Sequence, residues 1–207
     1  MEFWEKKFQE EQTSWGFEPC DSASVALELF MKHNIKNILI PGIGYGRNAF
    51  IFQNQGFNVN GIEISKTAIK IAKKNGFKGV IHHGSVTQMP FDNKIYDGIF
   101  CYALLHLLNK TERKQFLTAC MKQLKPGGYL ILNIVSTKSQ MYGNGKLLGK
   151  NRFELMKGLN VFFYDSDSIE NEFKSFGLME YREFDEPIKH MKNEGPLKCF
   201  LVFCKKT

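Results

Sequence analysis

The chain has 207 residues, 43% of them hydrophobic and 24% charged, which is the composition of a globular protein and excludes a disordered or low-complexity one. No apolar run approaches the ~20 residues of a membrane span, and Met1-Glu2-Phe3-Trp4-Glu5-Lys6 lacks the charged-then-apolar build of a secretory leader. The expectation is a cytoplasmic protein with no membrane partner. Its net charge of +7 is scattered without a dense basic run, which makes nucleic acid an unlikely partner.

At this length one domain over residues 1–207 is expected, with a helical cover at 1–34 and an insertion at 136–160. In chain order, Ile35–Ile40 reads as a strand and Gly46–Gln55 as a helix closed by Gly56. Phe57–Ile62 is a second strand. Ser65 can cap the helix after it, in which Ala68, Ile69 and Ala72 share a face and Gly76 marks the stop. Gly79–His82 and Tyr96–Cys101 are further strands. Asn109 and Glu112 have capping-box spacing at the head of a helix carrying Phe116, Cys120 and Leu124. Lys125-Pro126-Gly127-Gly128 is a turn, and Tyr129–Val135 a strand apolar on both faces. Such strands alternating with amphipathic helices predict a parallel sheet covered on both sides.

The last third reads differently. Ser136–Asn160 is polar, rich in Gly, Lys and Asn, and without a clear period. Asp165 or Asp167 can cap a helix carrying Ile169, Phe173 and Phe176 that ends at Gly177. Leu178–Phe184 and Cys199–Cys204 then form an antiparallel hairpin at the sheet edge. Cys20, Cys101, Cys120, Cys199 and Cys204 are odd in number and lack the C-x-x-C pairs of zinc sites, so they read as reduced thiols. Tandem His82-His83 lacks metal-site spacing and acidic companions, which argues against a metal.

The chemistry concentrates at Asn37-Ile38-Leu39-Ile40-Pro41-Gly42-Ile43-Gly44-Tyr45-Gly46-Arg47, a strand running into Gly-x-Gly-x-Gly and then a helix. Glycines permit a sharp turn and close backbone approach by a ligand, and the helix start offers unpaired N–H donors. The second strand ends at Gly61-Ile62-Glu63-Ile64, placing a carboxylate where a ribose diol can be held. Together these point to an adenosine-containing cofactor. The third glycine comes one position too early for the dinucleotide fingerprint G-x-G-x-x-G, which makes a nicotinamide oxidoreductase the weakest reading.

The spacing resembles motif I of the class I S-adenosylmethionine-dependent methyltransferases, and further segments resemble that family in order. Gly61-Ile62-Glu63-Ile64-Ser65 is similar to its second motif. His83-Gly84-Ser85-Val86-Thr87-Gln88-Met89-Pro90-Phe91-Asp92 is similar to its adenine-side loop. Tyr96–Leu108 is similar to its fourth strand and the loop facing the methyl group, and Leu124-Lys125-Pro126-Gly127-Gly128 to its post-helix turn. The resemblance implies an α/β fold, a seven-stranded, mostly parallel Rossmann-like sheet with an antiparallel C-terminal hairpin and helices on both faces. It also implies S-adenosyl-L-methionine as cofactor, held by Trp15, Pro41, Gly42, Ile43, Gly44, Gly46, Arg47, Glu63, Ile64, Gly84, Ser85, Val86, Cys101 and Tyr102. Pro41 stands where the family usually carries an acid, as in branches related to the thiopurine and thiol methyltransferases, and Ser85 replaces an acid of the adenine loop. Gly46-Arg47-Asn48-Ala49 also resembles the tellurite-resistance methyltransferases, and Phe3-Trp4-Glu5 with Ser14–Pro19 the segment that covers the cofactor in both branches.

His106, just past the fourth strand, is the candidate general base, with a structural histidine as the competing reading. Tyr102, Tyr142, Phe162 or Phe163 could line a pocket or belong to the core. The leading reading is methyl transfer to a small molecule, at a soft nucleophile such as sulfur, selenium or tellurium. The alternatives are a nucleic-acid or other O/N methyltransferase, and a cofactor-binding regulatory protein without turnover. The segment 136–160 is expected to be a mobile lid, and oligomeric state is left open.

Overall fold

A computed structural model describes residues 2–189 and 195–207. Five parallel strands form its centre: β1 (Asn37–Pro41), β2 (Asn58–Glu63), β3 (Ile81–His83), β4 (Tyr96–Tyr102) and β5 (Leu124–Val135). The antiparallel strands β9 (Leu178–Glu186) and β10 (Leu197–Lys205) extend the sheet, giving the order β3-β2-β1-β4-β5-β10-β9. The expected seven-stranded sheet with its C-terminal hairpin is what the chain forms.

Period-two alternation sorts each strand's side chains into two cores. Ile38, Ile40, Phe100, Ile131, Leu201 and Phe203 face one way, onto Ala23, Phe30 and Phe52 of α2 (Asp21–Lys32) and α3 (Ala49–Asn54). Their neighbours Leu39, Ile99, Cys101, Leu130, Leu132 and Val202 face the other, onto Phe116 and Cys120 of α5 (Lys110–Gln123) and Ile169 and Phe173 of α6 (Ser166–Phe173). Each fully buried Phe or Leu stabilises the fold by roughly 1.5–3 kcal/mol. Both faces must be apolar, which is why the strands read as near-continuous hydrophobic runs.

Helix ends follow their sequence signals. Ser65 accepts the Ala68 N–H (3.0 Å) at the start of α4 (Lys66–Lys74). Asn109 and Glu112 form a reciprocal capping box on α5, and Asp165 caps α6 with Ser168 in the reciprocal place. Gly177 takes φ +71° after the last turn of that segment.

The segment after β5 departs from its expected irregular form. Residues 146–162 make a second, three-stranded antiparallel sheet of β6 (Lys146–Gly149), β7 (Arg152–Met156) and β8 (Leu159–Phe162). Phe153 and Val161 from it, with the adjoining Phe163, pack against Val135 in a small core of their own. The sequence concealed it because the strands are four or five residues long, β6 is exposed throughout, and two register shifts break the alternation. The turn at Lys125–Gly128 likewise lies inside β5, where the pairing with β4 skips between Tyr96 and Gly98.

Candidate cofactor and acceptor site

The glycine loop leaves β1 at Pro41 and folds back over β2. Gly42 and Ile43 both donate their N–H groups to the Ile62 carbonyl (2.8 and 3.1 Å). Gly42 and Gly44 adopt φ +68° and +57°, a region other residues enter only with strain. Ile43 is buried against Gly61, where a Cβ would come within 2.6 Å of its side chain, so β2 needs glycine at that position. The Gly46 carbonyl accepts from Ala49 (2.8 Å) and Phe50 (3.1 Å), starting α3.

Glu63, at the β2 tip, ties this loop down. One carboxylate oxygen accepts the Gly44 N–H (2.8 Å), the other accepts the Ile64 and Ser65 N–H groups (2.8 Å each), and the residue is 5% exposed. Burial pushes its pKa up while the three backbone donors pull it down. A carboxylate offers about four acceptor positions, so a ribose diol at this tip would take the remaining one and share with the Gly44 N–H. The donor set fits an adenosine-type cofactor, with bare backbone at three loop glycines beside an acceptor-only side chain.

In the loop after β3, Gly84 donates to the Glu63 carbonyl (2.9 Å) and lies against Phe91, which leaves no space for a Cβ. The Ser85 hydroxyl is engaged within its own turn, close to Thr87 Oγ1 (2.8 Å) and accepting the Thr87 N–H (3.3 Å), while Val86 is buried. Cys101 points into the core under α5 and can meet a ligand only through its backbone. Tyr102 lies under the Arg47 guanidinium (5.5 Å to the ring centre), and Arg47 donates weakly to the Trp15 carbonyl (3.4 Å). Phe163 is fully buried, Phe162 sits under Arg113 (4.1 Å), and Tyr142 packs edge-on against Phe153 and Phe163.

Trp15 belongs to a cover built by α1 (Glu2–Glu11) and the chain after it. Trp15 stacks on Tyr45 (6.3 Å, 9°), and Phe8 meets both rings edge-on. The Phe8 ring lies 3.6 Å from where a Gly44 Cβ would stand, directly on the glycine loop. Glu5 fastens the helix to α4. It accepts hydrogen bonds from the Ser65 and Thr67 hydroxyls (2.6 and 2.7 Å) and the Thr67 N–H (3.3 Å), which hold its pKa down at about 2. Sequence reasoning gave Phe8 and Tyr45 no role, and it placed Glu5 in the covering segment without foreseeing its contacts. The i,i+4 pair Trp4 and Phe8 was a usable signal for a buried helix face. Nothing local signalled that Glu5 bonds to Ser65 and Thr67.

His106 sits in the 3₁₀ turn Leu105–Leu107, buried beside β5. Its Nδ1 accepts the Val135 N–H (3.3 Å), which leaves the proton on Nε2, and burial pushes the pKa down to about 4. At neutral pH it is a hydrogen-bond donor. Glu186, also missed, is buried at the end of β9. It accepts the Asp21 and Ser22 N–H groups (2.7 and 3.2 Å) at the start of α2 and the Asn133 amide (3.3 Å).

The strand order, the glycine loop and the acidic β2 tip define the class I S-adenosylmethionine-dependent methyltransferase fold. Residues 39–132, from within β1 to within β5, match the family model described as a methyltransferase domain, and the cofactor that goes with this fold and domain is S-adenosylmethionine. It is similar to an uncharacterised protein, MJ1123, of Methanocaldococcus jannaschii, with 29% identity over 79% of this chain and 72% of that one. It is also similar to the ubiquinone biosynthesis O-methyltransferase of Rickettsia akari, with 27% identity over 55% of this chain and 45% of that protein. Among solved structures, one described by the conversion of a disulfide bond into a thioacetal group during echinomycin biosynthesis superposes with a TM-score of 0.74 at 15% identity, covering 99% of this chain and 92% of that one.

Proposed function

We propose that this methyltransferase acts on a small-molecule soft nucleophile, a thiol or other chalcogen compound, in the manner of the tellurite-resistance and thiopurine branches. The observation that carries the proposal is the state of His106. The imidazole beside the fourth and fifth strand tips is neutral, committed at Nδ1 to Val135 and too weakly basic to take a proton efficiently at neutral pH. Of the strand-tip carboxylates, Glu63 is engaged by three backbone N–H groups and Glu186 by two. An acceptor already nucleophilic at neutral pH fits such a site, because it asks for alignment and exclusion of water more than for proton removal.

Bound at the loop, S-adenosylmethionine supplies an electrophilic methyl group for in-line displacement. Gly42, Gly44, Gly46 and Glu63 would hold its adenosine half, and Arg47 and Tyr102 would border its amino-acid half. Ile64, Gly84, Ser85 and Val86 would bound the adenine, and Trp15 with Phe8 would close the site from above. His106 would offer its Nε2 proton as a hydrogen bond that orients the acceptor. The sheet β6–β8 follows the carboxyl end of β5, the side on which open α/β sheets bind ligands, and we assign it the task of covering the acceptor.

The structure described by disulfide-to-thioacetal conversion acts in sulfur chemistry by its own description, which supports the reading. An oxygen acceptor is the second reading, favoured by the O-methyltransferase relative. Incubating the protein with labelled cofactor and a panel of thiols, chalcogen oxyanions, phenols, amines and RNA separates them. Thiol or chalcogen products are expected, whereas products confined to phenols would move the assignment to oxygen.

A further inference from the structure

Half of the large hydrophobic side chains that the described residues expose lie within 16 positions of the insertion: Met141, Tyr142, Leu147, Leu148 and Met156. Residues 141–150 are exposed without interruption. Leu147 is 65% exposed although it is the cross-strand partner of Phe153, whose ring is buried, so it continues an apolar face past the edge of the sheet. Tyr142 flanks the same Phe153 ring at 5.4 Å. Soluble monomers rarely gather exposed apolar groups in this way without a use for them.

The charge of the same segment is one-sided. Between residues 138 and 157 stand Lys138, Lys146, Lys150, Arg152 and Lys157 against the single carboxylate Glu154. Lys138 pairs with Glu183, Lys150 lies near Asp165, and Arg152 is turned inward onto the Leu108 carbonyl (2.7 Å). Lys146 and Lys157 form no ion pair among the described residues. Lys157, and Lys146 opposite Glu154 across the β6–β7 pair, thus bracket the exposed Leu147, Leu148 and Met156.

From this pairing of protruding aliphatic side chains with an excess of basic ones, we infer that the β6–β8 insertion is a docking surface for an anionic lipid bilayer. The leucines and Met156 enter the headgroup–acyl boundary while Lys146, Lys150 and Lys157 meet lipid phosphates. The sequence reading excluded a membrane span and expected no membrane partner; peripheral docking needs no span and departs from the second expectation. Aliphatic tips match lipid better than nucleic acid, which is bound through aromatic platforms and arginine. Tyr142, the one aromatic among them, already packs edge-on against Phe153 and Phe163 and donates its hydroxyl to Asn151 (3.0 Å). A second copy paired along β6 would bring Lys146 and Lys150 of both chains to one seam, where like charges repel. The insertion packs on Leu107, the residue after His106, and on Val135, whose N–H His106 accepts, so docking would turn the acceptor side of the sheet toward the lipid. The inference is independent of which atom accepts the methyl group.

The test is vesicle co-sedimentation of the full chain, with phosphatidylcholine vesicles against the same lipid containing phosphatidylglycerol. Sedimentation with the anionic vesicles only, lost in high salt, is expected. Leu147→Asp/Leu148→Asp should lower partitioning by roughly tenfold or more, and Lys146→Glu and Lys157→Glu by about fivefold each. Circular dichroism and cofactor affinity of each variant check that the fold is intact, since all four side chains are exposed. Equal sedimentation with both lipids, no sedimentation, or an unaffected leucine variant overturns the inference. So does a wild-type dimer that the leucine variant splits without changing vesicle binding, or RNA binding that the lysine variants alone abolish.

Discussion

Three backbone N–H groups converge on the Glu63 carboxylate, so a substitution there acts on the ligand and on the loop together. Glu63→Ala should weaken S-adenosylmethionine binding by roughly 1.5–3 kcal/mol, the range for a hydrogen bond to a charged group. Glu63→Gln should lose part of that, because its amide keeps one acceptor oxygen and leaves one of the three donors unpaired. Calorimetry showing full affinity in both variants would remove Glu63 from the site. His106 gives a pH prediction whose sign follows from its burial. Its pKa falls from the ordinary 6.5 to about 4, so between those values the unfolded chain binds more protons than the folded one. Stability therefore declines as pH drops through that window. His106→Gln keeps an acceptor for the Val135 N–H and does not titrate, and its melting temperature should decline less than that of wild type between pH 6.5 and about 4. The same variant should lose less than the roughly 100-fold in rate that removal of a general base costs. A greater loss at saturating acceptor, with the fold intact, would return His106 to the role of base.

Among the elements, α1 and the β6–β8 sheet are joined to the rest through few contacts whose removal separates their roles. Glu5→Ala deletes the three bonds that hold α1 to the head of α4. Stopped-flow fluorescence of Trp4 and Trp15 should then show S-adenosylmethionine leaving roughly tenfold faster or more, as expected for the net loss of at least one charged hydrogen bond. An unchanged rate would mean that the helix does not retain the cofactor. Arg152→Ala cuts the insertion from the Leu108 carbonyl and should raise the acceptor KM while leaving cofactor affinity as it was. If both constants shift together, the insertion shapes the cofactor site as well. These two elements are also where the sequence was least legible. The central strands announced themselves because burial on both faces demands Ile-Leu-Ile and Leu-Ile-Leu runs, and the helices because Ser65, Asn109 and Asp165 occupy capping positions. The glycine loop and Glu63 were readable because backbone geometry restricts the choice of residue. The contacts of Glu5 with Ser65 and of Glu186 with the α2 start join positions 60 and 165 residues apart, and no local pattern encodes such a distance. β6 escaped because a fully exposed strand has no hydrophobic alternation to display.

Taken as a whole, the molecule keeps every thiol out of water, and that provides a reporter of how the cover and the sheet come apart. Cys101, Cys120 and Cys204 lie in the core beneath α5 and α6, while Cys20 sits at the start of α2 and Cys199 at the start of β10. Burial pushes the pKa of Cys20, Cys101 and Cys204 up to about 12 and raises those of Cys120 and Cys199 as well. A thiol reacts as its thiolate, so both exclusion and protonation protect these groups in the folded state. An aromatic disulfide reagent at neutral pH should find almost no fast-reacting thiol in the native protein and all five after denaturation. The first to react should be Cys20. It stands in the chain that joins α1 to α2, with its N–H held by the Asn48 side chain (3.0 Å), so local opening of that connection should expose it without unfolding the sheet. Cys101 and Cys120, buried between the sheet and α5, should open only with global unfolding. Saturating S-adenosylmethionine, by holding the cover closed, should slow Cys20 and leave the core thiols at their global rate. Mass spectrometry of the labelled peptides distinguishes the positions. If Cys101 reacts as early as Cys20, the cover and the sheet open as one unit, and α1 is not a separately hinged element.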